Sequence, residues 1–395
     1  MDSKIFDSSY DVAIVGAGPA GSSAAIRLAN VGRKVLLIDK AHFPRHKLCG
    51  EFVSPECLDH LKDLGVFPRI DKASPTKINK TVFYSSGGRS FSIPSRWLAR
   101  NNADSIGLSR RAFDQILLDR AAECGASVRT EVAVLDVTTG EGQPIQLSLR
   151  TIGGSIYEIT APIMIDATGR GRYVARRFDK GTSNTKPRQV AFKVHLRGAA
   201  IEHGACEIFS YPGGYGGCSS VEDGLYNLCF VVDSELVRAI GSDPLKVLKE
   251  TVLKNQRAAD VLANIEIEGD WITVPIARYG SLDPAPAPGL LAIGDAAAFI
   301  DPFTGSGIAM ALQSSGIASD TILKYREPDA IGNAYRRSHA ATFQKRLMVC
   351  RALRFLSSSP KLADAMIAGL GKSEPFRRLF ARLTRGNQLT ETLAE

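Results

Sequence analysis

DVAIVGAGPAGSSAAIRLANVGRKVLLID, residues 11–39, is the stretch on which the fold turns. Asp11–Val15 is a short apolar run that ends in a glycine loop, and Ser22–Asn30 continues as an Ala-rich helix. Lys34–Asp39 is a second apolar run of the kind that lies buried in a parallel sheet. Together they make a βαβ unit of about 30 residues, the length such a crossover needs. Within the loop, Gly16 permits a tight turn, Gly18 lets the backbone approach a pyrophosphate, and Gly21 allows the helix to pack closely on the strand. Pro19 and Ala20 open the helix, where unpaired N–H groups and the positive end of the dipole favour an anion. Asp39, followed by Lys40, closes the second strand where a ribose would offer its hydroxyls. The loop therefore points to a bound dinucleotide but does not choose between NAD and FAD.

Two later stretches make the choice. Pro162–Gly169 (PIMIDATG) is a third apolar strand whose end, Ala167-Thr168-Gly169, should lie near the same cofactor. Leu290–Leu312 (LLAIGDAAAFIDPFTGSGIAMAL) begins as a buried strand ending at Gly294-Asp295, placing Asp295 to reach a ribityl hydroxyl. From Asp295 a long helix is expected to about Leu323, with Pro302 breaking the chain and Thr304-Gly305-Ser306-Gly307-Ile308 forming a helix start. N–H groups there would face the N1–C2=O edge of an isoalloxazine and stabilise the charge that develops on reduction. A nicotinamide enzyme has no use for such a second dipole site, so the expected cofactor is FAD.

With these three motifs in this order, the chain resembles over residues 10–320 the FAD-dependent family that holds p-hydroxybenzoate-hydroxylase-fold monooxygenases, geranylgeranyl reductases and flavin-dependent halogenases. The resemblance implies that Arg110 contacts the cofactor's phosphate or ribityl region and that backbone near Val132 touches the adenine. Phe43–Glu51 (FPRHKLCGE) is similar to the segment that geranylgeranyl reductases place beside the flavin. Cys49 is then a candidate for a role near the substrate, and Arg45, Lys47, Cys49 and Gly50 for contacts with FAD. His42 and His46 lie in or near that segment, and either could shuttle protons, with His46 the one carried forward. The substrate pocket is placed at Tyr215 and Gly217, but Gly217 stands where those reductases carry a tryptophan. No Trp-x-Trp-x-Ile-Pro segment of the halogenases is present, and Ala298 stands where aromatic hydroxylases place a histidine.

The chain has 395 residues with 49 Lys/Arg and 41 Asp/Glu. Residues 331–395 hold 12 basic and 4 acidic residues, a difference of 8 that equals the net charge of the whole chain. This helical tail either presents a solvated face, packs on the FAD-binding domain, or docks on anionic membrane. It lacks the aromatic interleaving of a nucleic-acid surface. The seven cysteines show no Cys-x-x-Cys pair, which argues against a disulfide framework or a zinc site and for a reducing, cytoplasmic setting. The opening residues do not read as a signal peptide, and no apolar run is long enough to span a bilayer.

The expected fold is α/β: a Rossmann-type FAD-binding domain from 1–75, 105–175 and 275–330, an antiparallel β substrate domain from 76–104 and 176–274, and C-terminal helices. The expected activity is oxidoreduction with NAD(P)H as the transient reductant, because no second nucleotide loop marks a permanent nicotinamide site. Monooxygenation of an aromatic, quinone or lipid-like small molecule leads, ahead of reduction of a C=C bond. Halogenation and a non-catalytic FAD scaffold stand further back. Oligomeric state is not written in the sequence.

Overall fold

The computed structural model describes residues 6–140, 142–179, 186–277, 279–357 and 360–385. Five short strands form a parallel sheet in the order Leu290–Ala292, Ile163–Asp166, Val12–Val15, Val35–Ile38 and Ser127–Arg129. The four strands from Leu290 to Ile38 are buried throughout, because both faces are covered. Val12, Ile14, Leu37, Ile165 and Leu291 point toward the helices Pro19–Asn30, Arg110–Glu123 and Gly307–Lys324. Ala13, Val15, Leu36, Met164 and Leu290 point the other way, onto the antiparallel sheet of Val132–Thr138, Ile145–Thr151 and Ile156–Ala161. All five strands run the same way, so the turns after Val15, Ile38, Asp166 and Ala292 emerge along one edge. That edge is where an open α/β sheet binds its ligand.

A second sheet has seven strands, in the order Glu266–Ile276, Gln189–Arg197, Tyr226–Asp233, Gly214–Ser220, Ala205–Tyr211, Lys80–Tyr84 and Ser90–Pro94. It is antiparallel except where Ala205–Tyr211 runs parallel to Lys80–Tyr84. Phe192, Val194, Phe209 and Phe230 fill one face, against Val237, Val247, Leu248 and Val261 of three short helices between 234 and 261. Those helices are not evident in the sequence pattern. The opposite face carries Lys193, His195 and Asn227 and meets the segment 47–51, so the two sheets enclose the ground between them.

The long helix expected from Asp295 does not form as one piece. A 3-10 turn at Gly294–Ala296, a two-residue strand Ala298–Phe299 and a second 3-10 turn at Pro302–Thr304 come first, and the α-helix starts only at Gly307. Gly294 (φ +58°) and Gly305 (φ +60°) adopt a left-handed conformation that no helix interior accommodates, and Pro302 lacks the N–H that a continuing helix needs. The tail forms the helices Pro328–Ser357, Pro360–Lys372 and Glu374–Leu383. Phe343, Leu347 and Cys350 of the first pack on Ala298, Ile300 and Met310. Tyr335 donates to the Ala292 carbonyl at 2.9 Å. Among the described residues no helix is long and apolar enough to cross a membrane.

Candidate active site

The glycine loop shows why each glycine is required. A Cβ on Gly16 (φ +103°) would lie 2.3 Å from the Ala167 carbonyl oxygen, and one on Gly21 would lie 1.9 Å from the Gly16 carbonyl oxygen. Gly18 differs. A Cβ there would point into open space, with Arg110 Nη2 at 3.6 Å and Arg45 Nη2 at 3.9 Å as its nearest neighbours. Pro19 opens the helix and no side chain caps it, so the first-turn N–H groups of Ala20 and Gly21 face the same space.

Around that space the chain gathers cations. Arg110 forms a bidentate pair with the buried carboxylate of Asp114 at 2.7 and 2.8 Å. Arg45 reaches the same Asp114 at 3.1 Å and Asp39 at 3.3 Å. The two carboxylates thus aim two guanidiniums at Gly18. Desolvation, together with the like charges of Arg45, Arg110 and Arg170, holds Lys47 below the usual lysine range. Arg45 Nε and Arg170 Nη1 are buried and, among the described residues, without a hydrogen-bond partner. Burial pushes Asp295 up, against the pull of Arg170, Arg110 and Lys47. Asp295 therefore feels Arg110, the same guanidinium that stands beside Gly18. Arg170, which follows the Asp166–Gly169 motif, is a member of this group of cations that its pattern did not announce.

Other expected positions are placed as follows. Asp39 accepts from Ala17 N–H and Ala41 N–H at 2.9 Å each, which fixes its carboxylate at the strand end. Lys40 lines an open cleft of about 460 Å³ with His42, Glu131 and Arg150, beside the Val132 turn. The Val132 N–H donates to the Asp39 carbonyl at 3.0 Å, so a hydrogen bond to adenine there must use another group of that turn. Thr168 donates its hydroxyl to Asp166 at 2.6 Å, and Asp166 also accepts from Val174 and Ala175 N–H. That brace holds Ala167 against Gly16, while a Cβ on Gly169 (φ +75°) would meet open space. The Ser306 hydroxyl is engaged by Arg385 at 3.0 Å, leaving backbone N–H groups at the uncapped start of Gly307–Lys324. Gly307 has nothing within reach of a Cβ, Ile308 is buried in the helix layer, and Pro302 lies on the surface. Gly305 comes close to the Phe52 ring, where a Cβ would meet Cδ1 at 2.9 Å.

On the substrate-sheet side, Tyr215 donates to Asp301 and accepts from Phe303 N–H at 3.0 Å. A Cβ on Gly217 would sit 2.8 Å from Ile208 Cδ1, so Ile208 takes the room that a larger residue would use. Cys49 is half-buried, its sulfur accepting from Glu51 N–H at 3.3 Å and its carbonyl accepting from Asn227 at 3.1 Å. His46 stacks edge-on against His195 with ring centroids 5.3 Å apart.

Beneath Cys49-Gly50 lies a cluster that motif reading missed. Glu51, fully buried with φ +54°, pairs with Lys193 through one carboxylate oxygen and with His195 Nε2 through the other at 2.5 Å. The Arg110 N–H adds a third contact at 2.8 Å. Burial alone would raise the Glu51 carboxyl, but the His195 hydrogen bond and the Lys193 charge outweigh it and hold it below the usual carboxylate range. Burial, with the positive field of His195 and Lys193, lowers His46.

The residues fit FAD. Open-faced Gly18, Gly50 and Gly307, two helix starts without side-chain caps, and orphaned guanidinium nitrogens make a cradle for a pyrophosphate and for an acceptor that becomes anionic on reduction. Arg110→Gln should weaken FAD binding about tenfold to a hundredfold, the value of one charge-assisted contact. Fluorescence titration of apoprotein checks this.

Comparison with known proteins agrees. The chain is 29% identical to digeranylgeranylglycerophospholipid reductase 2 of Methanopyrus kandleri, over 81% of this chain and 78% of that one. It is 26% identical to menaquinone reductase of Mycolicibacterium smegmatis, over 98% of this chain and 93% of that one. The flavin-dependent brominase Bmp2 superposes with a TM-score of 0.81 at 21% identity, over 96% of this chain and 94% of that one, a likeness of fold. Residues 9–320 match the FAD binding domain family. This chain belongs to that family of FAD-dependent oxidoreductases.

Proposed function

We propose that this enzyme is a reductase that saturates a carbon–carbon double bond of an apolar, isoprenoid-type lipid or quinone, with NAD(P)H as the source of electrons. The carrying observation is the buried Glu51–Lys193–His195 cluster under Cys49-Gly50, because adding hydride to an alkene requires a proton for the neighbouring carbon. FAD, when bound, supplies the hydride. The Glu51 carboxylate, facing Lys193 and His195, keeps a transferable proton on the nitrogen side of the cluster, and His46, exposed and packed on His195, connects that store to solvent. Phe83, Phe91, Ile208 and Phe303 form an apolar wall that runs from the sheet to the Gly305 loop and keeps water from it. The kinship with two proteins named as reductases, one matched over nearly the whole chain, supports the same reading.

Monooxygenation is the second reading, favoured by Gly217, where the tryptophan of the reductase pattern is missing. Holoenzyme reduced by NADPH under anaerobic conditions and mixed with a prenylated quinone or a polyprenyl lipid separates the two. The expected outcome is reoxidation of the flavin in step with a product that has gained two hydrogens. A substrate reacting only in air, with product gaining one oxygen atom, would establish the second reading instead.

A further inference from the structure

The helix Glu374–Leu383 has two unlike faces. Inward, Phe380 lies 6.3 and 6.0 Å from the rings of Phe83 and Phe91, and Ala381 is fully buried in the same aromatic cluster. Just beyond the helix, Arg385 is buried between Glu56, Ser306 and the Thr304 carbonyl, at 3.1, 3.0 and 2.8 Å. The helix is thereby pinned to the loop that begins Gly307–Lys324. Outward, Phe376, Leu379 and Leu383 are 63%, 49% and 47% exposed. Their spacing of three and four residues puts them on one stripe. Arg378 and Arg382 flank that stripe on the exposed side. They also line an open cleft of about 450 Å³ with Arg96, Trp97, Ala99 and Asn102, in which Arg378 lies over the Trp97 ring at 4.7 Å. Glu374 is the acidic member of the patch and pairs with Arg378 at 2.8 Å.

An exposed apolar stripe bordered by arginines, with an indole beside it, has the composition of a helix that lies in the plane of a membrane interface. The charge decides the occupant. Beside the stripe, Arg96, Arg378 and Arg382 lie exposed around one cleft, with Glu374 as the acidic neighbour, and an apolar protein partner would need no such positive edge. We infer that Glu374–Leu383 docks the enzyme on an anionic bilayer, with Phe376, Leu379 and Leu383 in the acyl boundary and Arg96, Arg378 and Arg382 among the headgroup phosphates. The inward face of the same helix belongs to the apolar cluster that reaches the Gly305 loop. Docking therefore sets the bilayer against the wall of the active site.

Co-sedimentation of FAD-loaded protein with phosphatidylcholine vesicles, with and without phosphatidylglycerol, tests this without any turnover. Its outcome is thus separate from that of the reductase reading. Expected is binding that requires phosphatidylglycerol, weakens with salt, and falls at least tenfold in F376D/L379D and in R378Q/R382Q. Substitution of the still more exposed Ile152 by Asp should leave binding unchanged. Circular dichroism melts show whether the variants remain folded, and the lipid dependence of the unaltered protein stands whatever they show. Equal sedimentation with and without phosphatidylglycerol overturns the inference. So does a dimer in solution that F376D/L379D dissociates, which would make this stripe a contact between two copies of the chain.

Discussion

Gly18→Val should purify as a folded, colourless protein, with FAD affinity lowered by at least about two orders of magnitude. The substitution is unusually clean. Gly18 has φ −78° and ψ −173°, a conformation that a β-branched residue adopts readily. Its Cβ would meet nothing closer than 3.6 Å, an ordinary van der Waals distance, and those neighbours are the guanidinium ends of Arg110 and Arg45. The fold should not register the change. The added side chain would, however, stand where a pyrophosphate bound to the N–H groups of Ala20 and Gly21 between Arg45 and Arg110 would lie. Displacing a phosphate from two or three charge-assisted hydrogen bonds removes about 1.5–3 kcal/mol for each one lost. Gly21→Ala is the informative contrast. Its Cβ would strike the Gly16 carbonyl oxygen, so the strand–helix unit itself must shift and stability should fall together with FAD. Flavin absorbance of the purified proteins, FAD titration and thermal melts separate the two. Yellow Gly18→Val protein with ordinary affinity would mean that the phosphates lie elsewhere.

The contrast also marks how far the sequence could be read. Gly16, Gly18 and Gly21 were legible because their spacing is a local pattern of six residues, although the Ala167 carbonyl that crowds Gly16 comes from a distant strand. Asp39, Asp295 and Gly307 were legible for the same reason, each at the end of an apolar strand or the start of a helix. What escaped was set by distant partners. Glu51 looked like the last letter of a flavin-side motif, and only the fold brings Lys193 and His195 onto it from more than 140 residues away. A signal was present even so. In Gln189–Arg197 (QVAFKVHLR) two ionisable residues alternate with apolar ones, so both share one face of a strand. A charged pair on the face turned away from Phe192 and Val194 needs a counter-charge, which the sequence alone does not locate. Arg385 left no comparable trace. Its place beside Ser306 depends on the last two tail helices packing back over the aromatic cluster, and its tail reads from composition simply as basic.

Glu51→Gln should be the most damaging substitution in the substrate-side cluster, and it should damage stability and chemistry separately. Removing the carboxylate charge leaves the buried Lys193 ammonium, 1% exposed, without a counter-ion. Breaking a buried pair from one side costs about 3–5 kcal/mol, largely because the remaining charge is still desolvated. Glu51→Gln combined with Lys193→Met should therefore be more stable than Glu51→Gln alone, even though it lacks one more native side chain. The pH dependence has a definite sign. The folded-state pKa of Glu51 lies below the ordinary carboxylate value, so its contribution is fully present above that value and is lost as pH falls through the folded one. The Gln variant should lack that part of the acid limb. For the chemistry, stopped-flow reduction of the bound flavin by NADPH should change little, because the cluster faces the substrate sheet. Product formation in the second half-reaction should slow by about 10²–10⁴-fold, the range that a positioned proton donor contributes. The double variant decides which effect is which. If it recovers stability without recovering turnover, the charged Glu51 cluster is what keeps the proton that the product receives. If turnover returns with stability, the cluster only ties segment 47–51 to the sheet, and the proton must come from elsewhere.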